Sequence, residues 1–275
     1  MERIAVVTGG NKGIGFAIVK GLCKQFDGTV YLTARDEQRG LNAVKELESE
    51  GLKPKFHQLD VTDDDSINNF RDYLQKEHNG LDVLVNNAAI AFKTNATEPF
   101  GHQAEETVRV NYFSLRKVCD KLYPLLRPHG RVVHVSSSAG RLLNLTGESL
   151  KKKLSNPNLT EEELDNLMHE FVESAKKGTH LEKGWSNSAY VASKVGVSAL
   201  AGIHQIKFNN DSRKDIAVNA VHPGYVDTDM TSHKGELKPD QGAEAPIYCA
   251  LLPNNTEIKG KYLWYDKTLA DWKKA

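Results

Sequence analysis

Seven short apolar runs rich in β-branched residues recur along the 275-residue chain, separated by stretches of helical period. The runs are RIAVVT (3–8), TVYLTA (29–34), KFHQLD (55–60), LDVLVN (81–86), GRVVHVS (130–136), IAVNAV (216–221) and GKYLWY (260–265). Between them, apolar residues return every three or four positions over 14–25, 37–50, 64–78, 103–126, 189–209 and 240–251. Near-continuous apolar strands are covered on both faces, and helical crossovers between them make neighbouring strands run parallel. The alternation therefore predicts an α/β fold, a parallel sheet with helices on both sides, and a length that fits one domain over 1–275.

One segment departs from this rhythm. Residues 141–187 contain LTEEELDNLMHEFVESAKKG, read as an amphipathic helix with Thr160 as N-cap, Glu163 completing a capping box, an apolar face of Leu164, Leu167, Met168 and Phe171, and a stop at Gly178. The segment is expected to be an inserted helical lobe, since a structureless loop of that length is rare in a compact domain.

Composition narrows the partners. Lys and Arg together number 36, as do Asp and Glu, so no excess of positive charge is available to neutralise a phosphate backbone, and nucleic acid is not an expected partner. Cys23, Cys119 and Cys249 are odd in number and lie in apolar runs, which reads as reduced thiols and a cytoplasmic location. No apolar run reaches the length of a membrane span, and no export signal opens the chain. No cluster with metal-ligand spacing stands out, so no metal is expected.

The first run leads into Thr8-Gly9-Gly10-Asn11-Lys12-Gly13-Ile14-Gly15 and then a helix. Glycines at 9, 13 and 15 let the backbone turn tightly beside a pyrophosphate, and the helix start offers free N–H groups. The second strand ends Thr33-Ala34-Arg35, with alanine where an NAD-binding chain places its ribose carboxylate. Arg35, with Lys12 and secondarily Arg39, suits a 2′-phosphate and hence NADPH. Asp36 lies close to the position of an NAD-type acid and reads instead as the N-cap of the next helix.

At the other end, AYVASK sets Tyr190 and Lys194 one helical turn apart on a single face. Strand ends carrying Ser136-Ser137-Ser138 and Asn86-Asn87-Ala88-Ala89, with Asn111 between them, bring polar groups to the carboxyl edge of the sheet, where such folds bind ligands. Together, TGxxxGxG, Asp60, NNAA, Asn111, Ser137, Tyr190-x-x-x-Lys194 and Pro223-Gly224 resemble the classical short-chain dehydrogenase/reductase family over nearly the whole chain. Within it, LTARD, GLDVLVNNAAIAFK, GW…SAY and GAEAPIYCALLP are most similar to the NADPH-dependent carbonyl reductases.

The resemblance implies a Rossmann-like doubly wound sheet of seven parallel strands in the order 3-2-1-4-5-6-7. It implies reduction of quinones, aldehydes and ketones, with ketosteroids and glutathione conjugates as further candidates. Tyr190 is then the general acid, Lys194 its activator and a ribose ligand, Ser137 the donor that orients the carbonyl, and Asn111 the holder of a relay water. By the same likeness the cofactor lies along Gly9, Asn11, Lys12, Gly13, Ile14 and Gly15, with Asp60 and Val61 near adenine, Asn87 along ribose, and Val226 and Thr228 near the carboxamide and phosphates. Phe92, Lys93 and Gln103 match positions that contact glutathione conjugates. Tyr225 and His222 stand where mammalian-like members carry tryptophan and cysteine. Elementary chemistry agrees with the acid: a cation beside a phenol, together with an oxidised nicotinamide ring, lowers its pKa.

Leu142, Leu143, Trp185, Tyr225 and Met230 are candidates for an apolar cleft or for ordinary core. His222 reads as a residue packed behind a strand. A lobe over the AYVASK helix would block the contact that tetrameric members make there, so a monomer is expected. Two other readings stay open: an NAD-dependent alcohol or hydroxysteroid dehydrogenase, if Asp36 meets the ribose, and a redox sensor that binds the dinucleotide without turnover.

Overall fold

The computed structural model describes residues 2–274. Its elements follow the expected alternation: β1 (Ile4–Val7), α1 (Gly13–Gln25), β2 (Thr29–Ala34), α2 (Glu37–Ser49), β3 (Lys55–Gln58), α3 (Asp64–His78), β4 (Leu81–Asn86), α4 (Phe100–Val108), α5 (Ser114–Leu122) and β5 (Leu126–Val135). After the lobe helices α6 (Glu148–Leu154) and α7 (Glu161–Lys176) come α8 (Ala189–Asn209), β6 (Ala217–Val221), α9 (Pro239–Ala250), β7 (Tyr262–Leu263) and β8 (Leu269–Ala270).

The sheet has the order β3-β2-β1-β4-β5-β6-β7-β8, parallel throughout except for the last pairing. The eighth strand corrects the expectation of seven. It is two residues long, too short to leave a periodic signal, and a turn with Lys267 at φ 71° folds it back on β7. The reversal of strand order between β1 and β4 opens the crevice in which doubly wound sheets bind ligands.

Period-two alternation sorts the core. Ile4, Val6 and Leu84 face α3, α4, α5 and α8, whereas Ala5, Val7, Val83 and Val85 face α1, α2 and α9. Both sets are fully buried, so each strand is apolar on both faces and reads as a continuous run.

One departure from a simple helix matters for the site. The run expected as one helix over 103–126 is broken between α4 and α5 by a π-helical turn at Arg109–Phe113, where Ser114 N reaches back to Arg109 O. One extra residue in the turn swings Asn111 inward, a distortion common where helices carry function.

The segment 141–187 carries the capped helix read from the sequence, α7. Thr160 Oγ1 accepts from Glu163 N at 3.2 Å and Glu163 Oε2 accepts from Thr160 N at 2.8 Å, closing the capping box. Leu164, Met168 and Phe171 join the same apolar cluster as Val108 and Tyr112, with Leu167 at its edge. Entry and exit are pinned where Thr146 N and Gly147 N donate to Gly184 O at 3.0 and 3.1 Å. A Cβ on Gly147 would lie 2.6 Å from Gly184 Cα, so only glycine permits this approach.

Candidate active site

The carboxyl ends of β1 and β4 are stitched by side chains. Thr8 Oγ1 accepts from Asn87 N and Ala88 N, both at 3.0 Å, while Asn87 Nδ2 donates to Thr8 O (3.0 Å) and Gly9 O (3.1 Å). Asn87, expected along the ribose, thus also fixes the Gly-rich turn. Gly9 and Gly13 have φ of +64° and +57°, and a Cβ on Gly15 would sit 2.2 Å from Gly9 O. The start of α1 has no side-chain cap, leaving first-turn N–H groups at Gly13, Ile14 and Gly15 for an incoming anion. Asn11 lies in the turn that leads into it.

Cations flank this turn. Arg35 is exposed and, among the described residues, makes no ion pair, whereas Lys12 Nζ meets Asp229 Oδ2 at 2.7 Å and Arg39 lies 3.6 Å from Asp36. Asp36 Oδ1 accepts from Arg39 N at 2.9 Å and caps α2. Asp60 is likewise committed locally, accepting from Thr62 N and Oγ1 at 2.9 and 2.7 Å beside half-buried Val61.

Ser188 caps α8 through Val191 N, placing Tyr190 in the helix's first turn and Lys194 one turn on. The three serines after β5 divide their roles. Ser136 Oγ is buried against Ser198 Oγ (2.7 Å) and Lys194 O (3.2 Å), and Ser138 is exposed. Ser137 lines the cleft with Tyr190, its Oγ accepting from Ala139 N at 3.1 Å and its carbonyl accepting from Tyr262 OH at 2.7 Å.

Burial raises the Tyr190 phenol above its ordinary value, with the neighbouring Ser137 hydroxyl pulling the other way. Lys194 is buried, its Nζ donates to Val135 O at 2.7 Å and sits 5.6 Å from the Tyr190 ring centroid, and burial lowers it to about 8. In the protein alone, then, the phenol is held protonated. Desolvation of both groups outweighs the lowering that charge proximity alone predicts.

Asn111 is 1 % exposed: Oδ1 accepts from Ile90 N at 2.8 Å, and Nδ2 donates to Ile90 O at 2.9 Å and Ser193 Oγ at 3.0 Å. It ties the π-turn to the β4 exit loop and to α8, next door to Tyr190.

A cleft of about 410 Å³ opens over Ser137 and Tyr190, lined also by Ile14, Phe92, Lys93, His222, Tyr225, Val226, Thr228 and Met230. Lys93 Nζ reaches Asp229 O and Ser232 Oγ, closing one rim. Gln103 does not line the cleft: its amide donates to Glu98 O at 2.8 Å. Trp185 and Leu142 are core, the former packed 5.1 Å from Phe171, and Leu143 is exposed away from the cleft lining. Tyr262 escaped sequence reading, since it looks like an ordinary strand position. His222, read in the sequence as a residue packed after a strand, also borders the cleft.

Residues 3–148 and 175–238 match the sequence pattern of the family described as short chain dehydrogenase, and the gap between the two segments holds most of the lobe. Carbonyl reductase (NADPH) 1 of Mus musculus is 51% identical over 271 residues, spanning 98% of each chain. The Homo sapiens protein of the same name is 49% identical over 272 residues, again 98% of each. Among solved structures, salutaridine reductase from Papaver somniferum superposes with a TM-score of 0.87 at 32% identity, covering 96% of this chain and 99% of that one.

Proposed function

The chain belongs to the short-chain dehydrogenase family, and from that premise we propose that it is an NADPH-dependent carbonyl reductase that converts quinones, aldehydes and ketones to alcohols. The observation that carries the reading is that Tyr190 and Ser137 line one open cleft, with the Lys194 ammonium 5.6 Å from the Tyr190 ring centroid.

The residues present fit a phosphorylated dinucleotide. The uncapped start of α1 and the close-packed glycines suit a pyrophosphate, and unpaired Arg35 suits a 2′-phosphate. Asp36 is already engaged by its helix and by Arg39, which leaves an NAD-type ribose without its carboxylate.

When bound, NADPH supplies the hydride that reduces the carbonyl carbon. Ser137 and Tyr190 hold the carbonyl oxygen by hydrogen bonds that strengthen as negative charge develops on it. Tyr190 OH then gives its proton to that oxygen as general acid. Lys194, charged below about pH 8, favours the phenolate left behind. Asn111 fixes the β4 exit loop and Ser193 next to this centre.

The same reading includes a monomer. Leu154 and Leu159 of the lobe, with Trp272, lie beside Gly202, Ile203 and Ile206 on the outer face of α8, where a second copy would need access. A mass above that of one chain by light scattering at micromolar concentration would refute it. Three unpaired cysteines fit a reducing cytoplasmic setting.

The test is steady-state reduction of menadione with NADPH and with NADH, in the wild type and in Tyr190→Phe. Turnover with NADPH that disappears in the variant, while NADPH still binds, is the expected result. Equal or faster turnover with NADH would favour an alcohol or hydroxysteroid dehydrogenase. Binding without turnover would favour a redox sensor.

A further inference from the structure

His222 follows β6 and sits where the cleft wall passes from the serine loop to the Pro223-Gly224 turn. Its ring packs 4.3 Å from Trp264 and edge-on to Tyr265, so its plane is fixed. Its Nδ1 accepts from Ser138 N at 3.0 Å and Gly224 N at 3.4 Å. A nitrogen that accepts bears no proton, so the neutral ring carries its proton on Nε2.

The ring is neutral at any working pH, since burial and the nearby Arg141 guanidinium lower it to about 4. Among the described residues Nε2 has no protein partner, and it is not one of the sealed polar atoms. A histidine bordering the cleft, anchored through one nitrogen to the backbone next to Ser137, therefore keeps an N–H donor that no group among the described residues uses.

We infer that His222 is a second hydrogen-bond donor of the substrate site, holding an acceptor oxygen adjacent to the reacting carbonyl, so that the cleft favours vicinal dicarbonyls over isolated ketones. Ser137 and Tyr190 take the oxygen that becomes the alcohol, and His222 takes its neighbour. The inference rests on the carbonyl-reductase reading and names a substrate class within it. A site with a fixed donor discriminates against a ligand lacking the acceptor, because the donor is then stripped of water without a replacement.

The experiment compares benzil with deoxybenzoin, which lacks one of benzil's two oxygens, in the wild type, His222→Leu, His222→Gln and Tyr262→Phe. His222→Leu loses both the donor and the anchor for Ser138 N–H. Loss of the anchor lowers kcat/KM for both substrates together, as Tyr262→Phe does by freeing the Ser137 carbonyl. Loss of the donor lowers the benzil-to-deoxybenzoin ratio, by about five- to tenfold for one neutral hydrogen bond. The Gln variant, whose amide both accepts and donates, restores the ratio.

A ratio unchanged in His222→Leu, or lowered equally in Tyr262→Phe, overturns the inference. If the wild type reduces neither substrate nor menadione, it is the carbonyl-reductase reading that fails, and this shows before any variant is made.

Discussion

Lys12 on the Gly-rich turn and Asp229, which lies 217 residues further along the chain, form an ion pair of 2.7 Å across the mouth of the crevice. Asp229 is also reached by His233 at 3.2 Å, and its carbonyl by Lys93, so the segment after Thr228 is strapped to the loops it faces. Both members of the pair are exposed, at 63% and 62%, so the pair is weak and exchanges readily with a better anion. At the proposed NADPH site a 2′-phosphate would compete with Asp229 for Lys12. Asp229→Asn is therefore expected to lower the Kd for NADPH by up to about fivefold at low ionic strength, and to have no effect near molar salt, where screening acts within about 3 Å. Fluorescence titration at two salt concentrations checks this; unchanged affinity at low salt would show that the pair does not compete.

Arg35 makes no ion pair among the described residues, so its guanidinium is free to form charge-assisted bonds to a phosphate. Losing such bonds in Arg35→Ala is expected to weaken NADPH binding by roughly ten- to a hundredfold while leaving NADH nearly unchanged. Parallel loss for both dinucleotides would place Arg35 against a part of the cofactor that the two share.

The pH profile follows from Lys194. Its folded value of about 8 lies below the ordinary 10.5, so the ammonium is present below pH 8 and lost above it, while raised Tyr190 keeps its proton over that range. With the charged form required, kcat/KM for menadione stays level up to about pH 8 and falls roughly tenfold per unit beyond it. Stability moves oppositely. Between about 8 and 10.5 the unfolded chain binds more protons at this lysine than the folded one, so its contribution to stability rises with pH. A rate profile level to pH 10 would show that catalysis does not need the ammonium.

Much of this was legible in the residues. β2, β4 and α3 fall at the predicted limits because each is bounded by a cap, a turn or an abrupt change of period. Tyr190, Lys194 and the Gly-rich turn were visible because the chemistry proposed for them needs fixed spacing along one element. What stayed hidden depends on distant pairing. The π-turn at Asn111 is a one-residue insertion into an otherwise helical pattern, and β8 exists only because β7 offers an edge. Which of three serine hydroxyls is tied to another side chain depends on a partner in α8, Ser198, that holds Ser136. Gln103 lies off the cleft for a similar reason, since its amide is spent on its own helix start.

The Gly-rich turn allows steric crowding to be separated from backbone strain. A Cβ on Gly15 would lie 2.2 Å from Gly9 O and 2.4 Å from Asn87 Nδ2, so Gly15→Ala must displace the amide that holds Thr8 and Gly9. The expected cost is about 1–3 kcal/mol of stability, the range for overpacking a tight site, together with loss of NADPH binding. Gly51 serves as the contrast: its φ is +81° but nothing lies within 4 Å of an added Cβ. Gly51→Ala should cost about 1–2 kcal/mol through backbone strain and leave NADPH affinity intact. Thermal melts paired with NADPH titrations of the two variants decide the matter, and an unimpaired cofactor site in Gly15→Ala would mean that the turn tolerates movement of Asn87.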